Sequence, residues 1–135
     1  MSTACFAGLF YDCYRLVSAP TLPATSLSPR CYQGMFARTD LRQSPELPAL
    51  SVPSKSYSEM FTQCYALKTI GPIAATSLSS YSCYSMFAGC NSLVFPPQLH
   101  ITQVAERCCE YMFSYCSALV TAPSLPATRM ANVCY

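Results

Sequence analysis

The sequence contains no tryptophan and only four glycines, and charged residues make up just 10% of it. Scarce glycine beside eleven prolines excludes flexible linkers and a collagen-type chain. The net charge of +2 comes from scattered residues, with no basic stripe and no acidic tail. That balance predicts no nucleic-acid partner and no acidic one. A run of about 18–20 apolar residues is also missing, so no membrane insertion is expected. Residues 69–105 carry no Asp, Glu, Lys or Arg, yet Pro72, Pro96, Pro97 and several serines interrupt them. The opening MSTACFAGLF lacks the basic segment and long apolar stretch of a signal peptide. Neither glycine-rich phosphate-binding pattern, G-x-x-x-x-G-K-[ST] or G-x-G-x-x-G, occurs.

What the sequence does hold is an internal repeat, in a chain of 135 residues that is long enough for one domain with a real core. Leu9-Phe10, Met35-Phe36, Met60-Phe61, Met86-Phe87 and Met112-Phe113 recur at steps of 26, 25, 26 and 26. Upstream of each pair lies another apolar position: Met1, Leu27, Val52, Leu78 and Val104. The chain therefore divides into five copies, residues 1–26, 27–51, 52–77, 78–103 and 104–129, with a truncated sixth at 130–135.

More rows appear in this frame. After each dipeptide come Cys13, Thr39, Cys64, Cys90 and Cys116, then Leu16, Leu41, Leu67, Leu93 and Leu119. Pro20, Pro45, Gly71, Pro97 and Pro123 follow, and then Leu22, Leu47, Ile73, Leu99 and Leu125. Before the dipeptide stand Cys5, Cys31, Ser56, Ser82, Cys108 and Cys134, beside Phe6, Tyr32, Tyr57, Cys83, Cys109 and Tyr135. One copy cannot fold alone. Ordering about 26 residues costs roughly 1–2 kcal/mol each, and about seven apolar side chains return only about 1.5–3 kcal/mol each. Stacking closes the gap, because each copy buries its apolar face on the next.

Spacing predicts the local structure. C-Y-x-x-M-F-x-x-C has the apolar pattern of a helical or 3₁₀ turn. The x-x-L-x-x-x-P segment reads as a short extended strand ended by L-P-A-T, kept short because proline brings no ladder N–H. The expected fold is a repeat solenoid of the leucine-rich-repeat kind. Each coil of about 26 residues would carry one short parallel strand and one helical or 3₁₀ turn.

The M-F-x-x-C-x-x-L core followed by P-x-L-P resembles the leucine-rich repeats of bacterial surface proteins of the BspA type. Met86-Phe87-Ala88-Gly89-Cys90-Asn91-Ser92-Leu93 is its cleanest instance. Leu22–Thr25 and Leu125–Thr128 both read L-P-A-T, which looks like a proline-rich variant. The resemblance covers essentially the whole chain. It implies a secreted or cell-surface module for protein or glycan binding, of adhesion type, with no catalytic residues and no cofactor. The second copy departs from the pattern at Thr39 and Leu50, and the fourth reads Leu99-His100-Ile101-Thr102.

Candidate chemistry is sparse. The cysteine rows read as small buried thiols filling fixed slots, since neighbours in a parallel ladder point the same way and suit disulfide torsion poorly. No cysteine spacing matches a metal site. His100 stands in a turn row with no recurring carboxylate to orient it, so it reads as a surface residue. Glu59, Glu106 and Glu110 occupy variable positions and read as a solvated face. On this reading the protein is not an enzyme. Tyr11, Tyr14, Tyr65, Tyr81, Tyr111 and Tyr115 lie off the ladders and suit adaptable contact surfaces. The most variable row, Thr21, Glu46, Pro72, Gln98 and Ser124, is the candidate binding face on the strand side. An alternative is a structural spacer or self-assembling segment of a longer repeat array, with end-to-end self-association as a further expectation, because uncapped solenoid ends are sticky.

Overall fold

The computed structural model describes residues 3–135, so the Met1 position of the first apolar row lies outside the described residues. Two strands are present among them: β1 (Ser51–Val52) and β2 (Ser77–Leu78). They pair in parallel, with Ser51 opposite Ser77 and Val52 opposite Leu78. Isolated parallel bridges join Gln43 to Thr69, Leu47 to Ile73 and Ser77 to Gln103. Every one of these partners stands 26 residues from the other, so neighbouring copies lie side by side.

The strand differs in place from the sequence expectation. Over x-x-L-x-x-x-P the pairing shrinks to single bridges, and the two strands fall just after the L-P-A-T position. Proline is the reason: Pro45, Pro48 and Pro72 bring no N–H to a ladder. Gly71 replaces proline in its row because an N–H is needed there. That N–H donates to Ser44 Oγ at 2.9 Å, and a side chain at Gly71 would meet the Pro45 carbonyl oxygen at 3.0 Å.

The expected helical or 3₁₀ turn also needs correction, for no helix occurs among the described residues. In the first copy Ala7, Leu9, Tyr11 and Cys13 donate to carbonyls three residues back, at 3.0–3.3 Å. The residues between them do something else. Ala4, Phe6, Gly8, Phe10 and Asp12 donate across to Pro29, Cys31, Gln33, Met35 and Ala37 of the second copy, at 2.8–3.0 Å. The same alternation recurs down the chain, ending with Arg107 to Asn132 and Cys109 to Cys134.

A left-handed residue at every fourth position explains this. Ala4, Gly8 and Asp12 have φ near +60°, and so do Arg30, Gly34 and Arg38, Lys55, Glu59 and Gln63, and their counterparts further on. Such a residue stops a right-handed helix from continuing and swings every second N–H towards the next copy. The conformation costs a side-chain-bearing residue roughly 1–2 kcal/mol. The bonds between copies offset that cost.

The core lies between the turn segment and the strand side. Phe10, Phe36, Phe61, Phe87 and Phe113 stack in one column, with ring centroids 5.5–5.7 Å apart and planes within 11° of parallel. That separation is the offset stack aromatic rings prefer. Met35, Met60 and Met86 and Leu41, Leu67 and Leu93 form buried columns beside it. Phe36, Phe61 and Phe87 are fully buried, whereas the outer members Phe10 and Phe113 are half-buried.

The Phe column should therefore be most sensitive at its centre. Phe61→Ala is expected to cost about 3–5 kcal/mol and Phe10→Ala clearly less, read by urea unfolding. Equal losses at the two positions would contradict the column.

Candidate functional site

On the strand side the structure places the whole candidate row at the surface: Thr21, Glu46, Pro72, Gln98 and Ser124 are all exposed. The Leu47–Ile73 bridge sets Glu46 beside Pro72 in the adjacent copy. Thr21 and Glu46 share a groove of about 390 Å³ walled by Pro20, Pro23, Pro45 and Pro48. Pro72 and Gln98 share another of about 370 Å³ with Ile70, Gly71 and Pro97, and His100 lines it too. Ser124 lines neither groove. Proline walls are rigid, so these grooves offer fixed apolar edges at low entropic cost.

The carboxylates divide. Glu59 and Glu106 are exposed, in keeping with a solvated face. Glu110 is not: it is buried, and its two oxygens take Arg107 Nη1 at 3.2 and 3.1 Å. That pairing raises the Arg107 pKa through the hydrogen bond first and the charge second. Sequence reasoning missed Arg107, Lys55 and Tyr84, which join Tyr81 and Tyr111 in a cleft on the turn side. The signal was present as a row, since Arg30, Lys55, Tyr81 and Arg107 recur at the repeat spacing.

The thiols fill their slots for a specific reason. Cys64 Sγ donates to the Phe36 carbonyl at 3.1 Å, Cys90 to Phe61 at 3.2 Å and Cys116 to Phe87 at 3.1 Å. Thr39, the departure from the cysteine row, donates its hydroxyl to Phe36 at 2.8 Å and meets Cys64 Sγ at 3.4 Å. All ten cysteines are free, and only Cys5 and Cys13 are exposed. Burial pushes the Cys31, Cys64 and Cys90 thiols up, which keeps them protonated and poor nucleophiles. Among the described residues no group of three or more His, Cys, Asp or Glu side chains could hold a metal ion. No helix is long and apolar enough to cross a membrane.

No protein-family model matches the chain, and neither a curated protein nor a solved structure is significantly similar to it.

The raised thiols set a pH dependence. In the unfolded chain these cysteines ionise near 9.0, while folded Cys64 and Cys90 hold their protons well above it. Their contribution is complete below pH 9 and declines as pH rises. Each such thiol removes up to about 1.4 kcal/mol per pH unit. Urea midpoints in reductant should be flat from pH 7 to 8 and fall between pH 9 and 10. Replacing Cys90 with Ala should make that fall shallower; an unchanged slope would remove the buried thiols from the account.

Proposed function

We propose that the chain is a leucine-rich-repeat-like solenoid that acts as a non-enzymatic binding module of the BspA type. It is placed at the cell surface or secreted, and it takes a protein or a glycan along its strand side. The observation that carries this reading is the parallel pairing of neighbouring copies, Leu47 with Ile73 and Ser77 with Gln103, beside an exposed row of Thr21, Glu46, Pro72 and Gln98. The buried rows hold the fold, and this row is free to vary without disturbing them. Grooves beside Glu46 and beside Pro72, with prolines in their walls, give a ligand fixed apolar edges. Location at the surface and the adhesion-type role come from the resemblance of the M-F-x-x-C-x-x-L core.

The test is a panel of extracellular-matrix proteins and glycans screened against the native chain, followed by substitution along the row. Glu46→Ala together with Gln98→Ala should weaken a hit by roughly tenfold or more while leaving the unfolding midpoint in place. A hit that survives alanine at every position of the row would end the strand-side assignment.

A second reading, end-to-end self-association, has its own support. The N–H groups of Tyr111, Phe113 and Tyr115 have no acceptor among the described residues, although their counterparts in earlier copies all donate onward. Beside them lies an apolar cavity of about 340 Å³ lined by Leu99, Met112, Phe113 and Leu125. In the first copy Phe6 and Leu9 are exposed, in rows that the inner copies bury. Among the described residues the fifth copy thus offers donors and the first copy acceptors in matching columns. Light scattering across a concentration series, in reductant, should then give a mass that grows with concentration. A mass that stays monomeric would retire this reading and leave the binding module.

A further inference from the structure

We infer that the turn side of the third to fifth copies carries a carbohydrate-binding cleft for neutral pyranose sugars, with Tyr111 as its stacking platform. This site is separate from the strand-side row and stands or falls without it. A cleft of about 440 Å³ opens there, within the usual range for small-ligand sites of about 300–1,000 Å³. Tyr81, Tyr84 and Tyr111 supply its aromatic wall. Tyr84 meets Tyr81 at 5.9 Å and Tyr111 at 5.9 Å, the latter edge-on at 82°. The edge contact holds the Tyr111 ring upright, and that residue remains 57% exposed. A second cleft of about 440 Å³, lined by Ser85, Ala88, Ser114 and Tyr115, lies against Tyr111 as well. Tyr111 therefore stands between two recesses, each opening beside the ring.

The charges around this wall leave no positive excess. Arg107 is taken up by Glu110 at 3.1 Å and by Glu106 at 3.7 Å, and the Lys55 ammonium lies 5.5 Å from the Tyr81 ring centre. Glu59 adds a carboxylate at the rim, and Gln33 an amide. Two cations face three carboxylates, so the site has no net pull on a phosphate or sulfate. A pyranose fits this chemistry. Its C–H face lies on an aromatic ring, and its hydroxyls both donate and accept, which suits a rim that mixes carboxylate, amide and ammonium.

Backbone conformation fixes where these residues stand. The position of Tyr111 has φ +58°, and the equivalent positions in the first two copies are Gly8 and Gly34, at +62° and +59°. The fold accepts glycine there and glycine is the unstrained choice. The third and fifth copies instead carry Glu59 and Tyr111, both of which line the cleft. Lys55, Tyr81 and Arg107 occupy the neighbouring left-handed row, at φ 59°, 58° and 54°. The left-handed position recurs in every copy as part of the fold, so it fixes where these side chains stand, and the cleft is what brings this set of them together.

The experiment titrates the purified chain with maltotriose, cellotriose and mannotriose, following tyrosine emission and heat. The absence of tryptophan makes that emission a direct report on tyrosine. At least one trisaccharide should bind with a Kd below about 10 mM. Tyr111→Ala should weaken it at least about tenfold and Tyr111→Phe by less than about threefold, because the ring and not the hydroxyl does the stacking. Tyr111→Gly should abolish binding without lowering the unfolding midpoint, since φ +58° suits glycine. Glu46→Ala and Gln98→Ala should leave sugar binding unchanged, which separates this cleft from the strand-side row. The inference is overturned if no trisaccharide binds the native chain at about 10 mM. It is equally overturned if Tyr111→Ala binds like the native chain, or if a sulfated trisaccharide binds more tightly than its neutral parent.

Discussion

The left-handed residue at every fourth position of the turn segment decides where half of the amides point, and the rest of the structure follows from that. The Met-Phe peptide unit makes the consequence plain. Phe10 N–H donates to Met35 carbonyl, Phe36 to Met60, Phe61 to Met86 and Phe87 to Met112, at 2.9–3.0 Å. Each Met-Phe peptide thus accepts on one side and donates on the other, so one amide column runs from the first copy to the fifth. Hydrogen bonds in series polarise one another, and their dipoles add along the column as they do along a helix. Because the backbone repeats at this spacing, phenylalanine must fall over phenylalanine and leucine over leucine. The ring column is an effect of the amide column, reinforced by the burial it allows.

The cysteine row belongs to the same design. Each Phe carbonyl in the interior has two lone pairs to satisfy. The Phe61 carbonyl takes Cys64 N–H at 3.1 Å from its own copy and Cys90 Sγ at 3.2 Å from the next. The Phe87 carbonyl takes Cys90 N–H and Cys116 Sγ in the same way, both at 3.1 Å. The slot needs a small apolar body with one weak donor, and a thiol has both. Threonine at position 39 keeps a donor of similar size, but its hydroxyl turns to the Phe36 carbonyl of its own copy and not to the copy before. A lysine or glutamate in that slot would bring a charge into a region where Cys64 and Cys90 are fully buried.

Much of this was legible in the sequence, and the illegible part has a physical cause. The Met-Phe, Leu and Cys rows could be read because burial restricts residue type, and restricted types recur visibly. Left-handed positions could not, because Lys55, Tyr81, Arg107 and Tyr111 carry no mark of their φ. Only Gly8, Gly34 and Gly89 hinted at it, and three glycines among so many polar residues read as ordinary turns. The same blindness produced the helical expectation: the apolar spacing of C-Y-x-x-M-F-x-x-C fits a 3₁₀ turn, and half of its N–H groups do bond three residues back. The other half escape to the next copy. Glu110 looked solvated for a related reason. Its charge is met by Arg107, three residues earlier, whose left-handed φ the sequence does not mark. Tyr81 and Tyr111 stood out in the sequence simply because they fell off the ladders.

The rows that carry stability are different from the rows whose identity is left free. The frame rows hold almost one residue type from copy to copy. The outward row on the turn side runs Ala4, Arg30, Lys55, Tyr81, Arg107, Val133, with little in common between neighbours. A side chain there neither fills the core nor joins an amide column, so its identity is free. Its location is fixed all the same, because the N–H of every residue in that row from Ala4 to Arg107, except Lys55, bonds the next copy. Unrestricted identity on a rigid grid is what a recognition surface requires, since a ligand then meets groups that are already in place. The strand side achieves rigidity by another route, through proline. Two faces, each rigid for its own reason, leave the buried rows to hold the copies together.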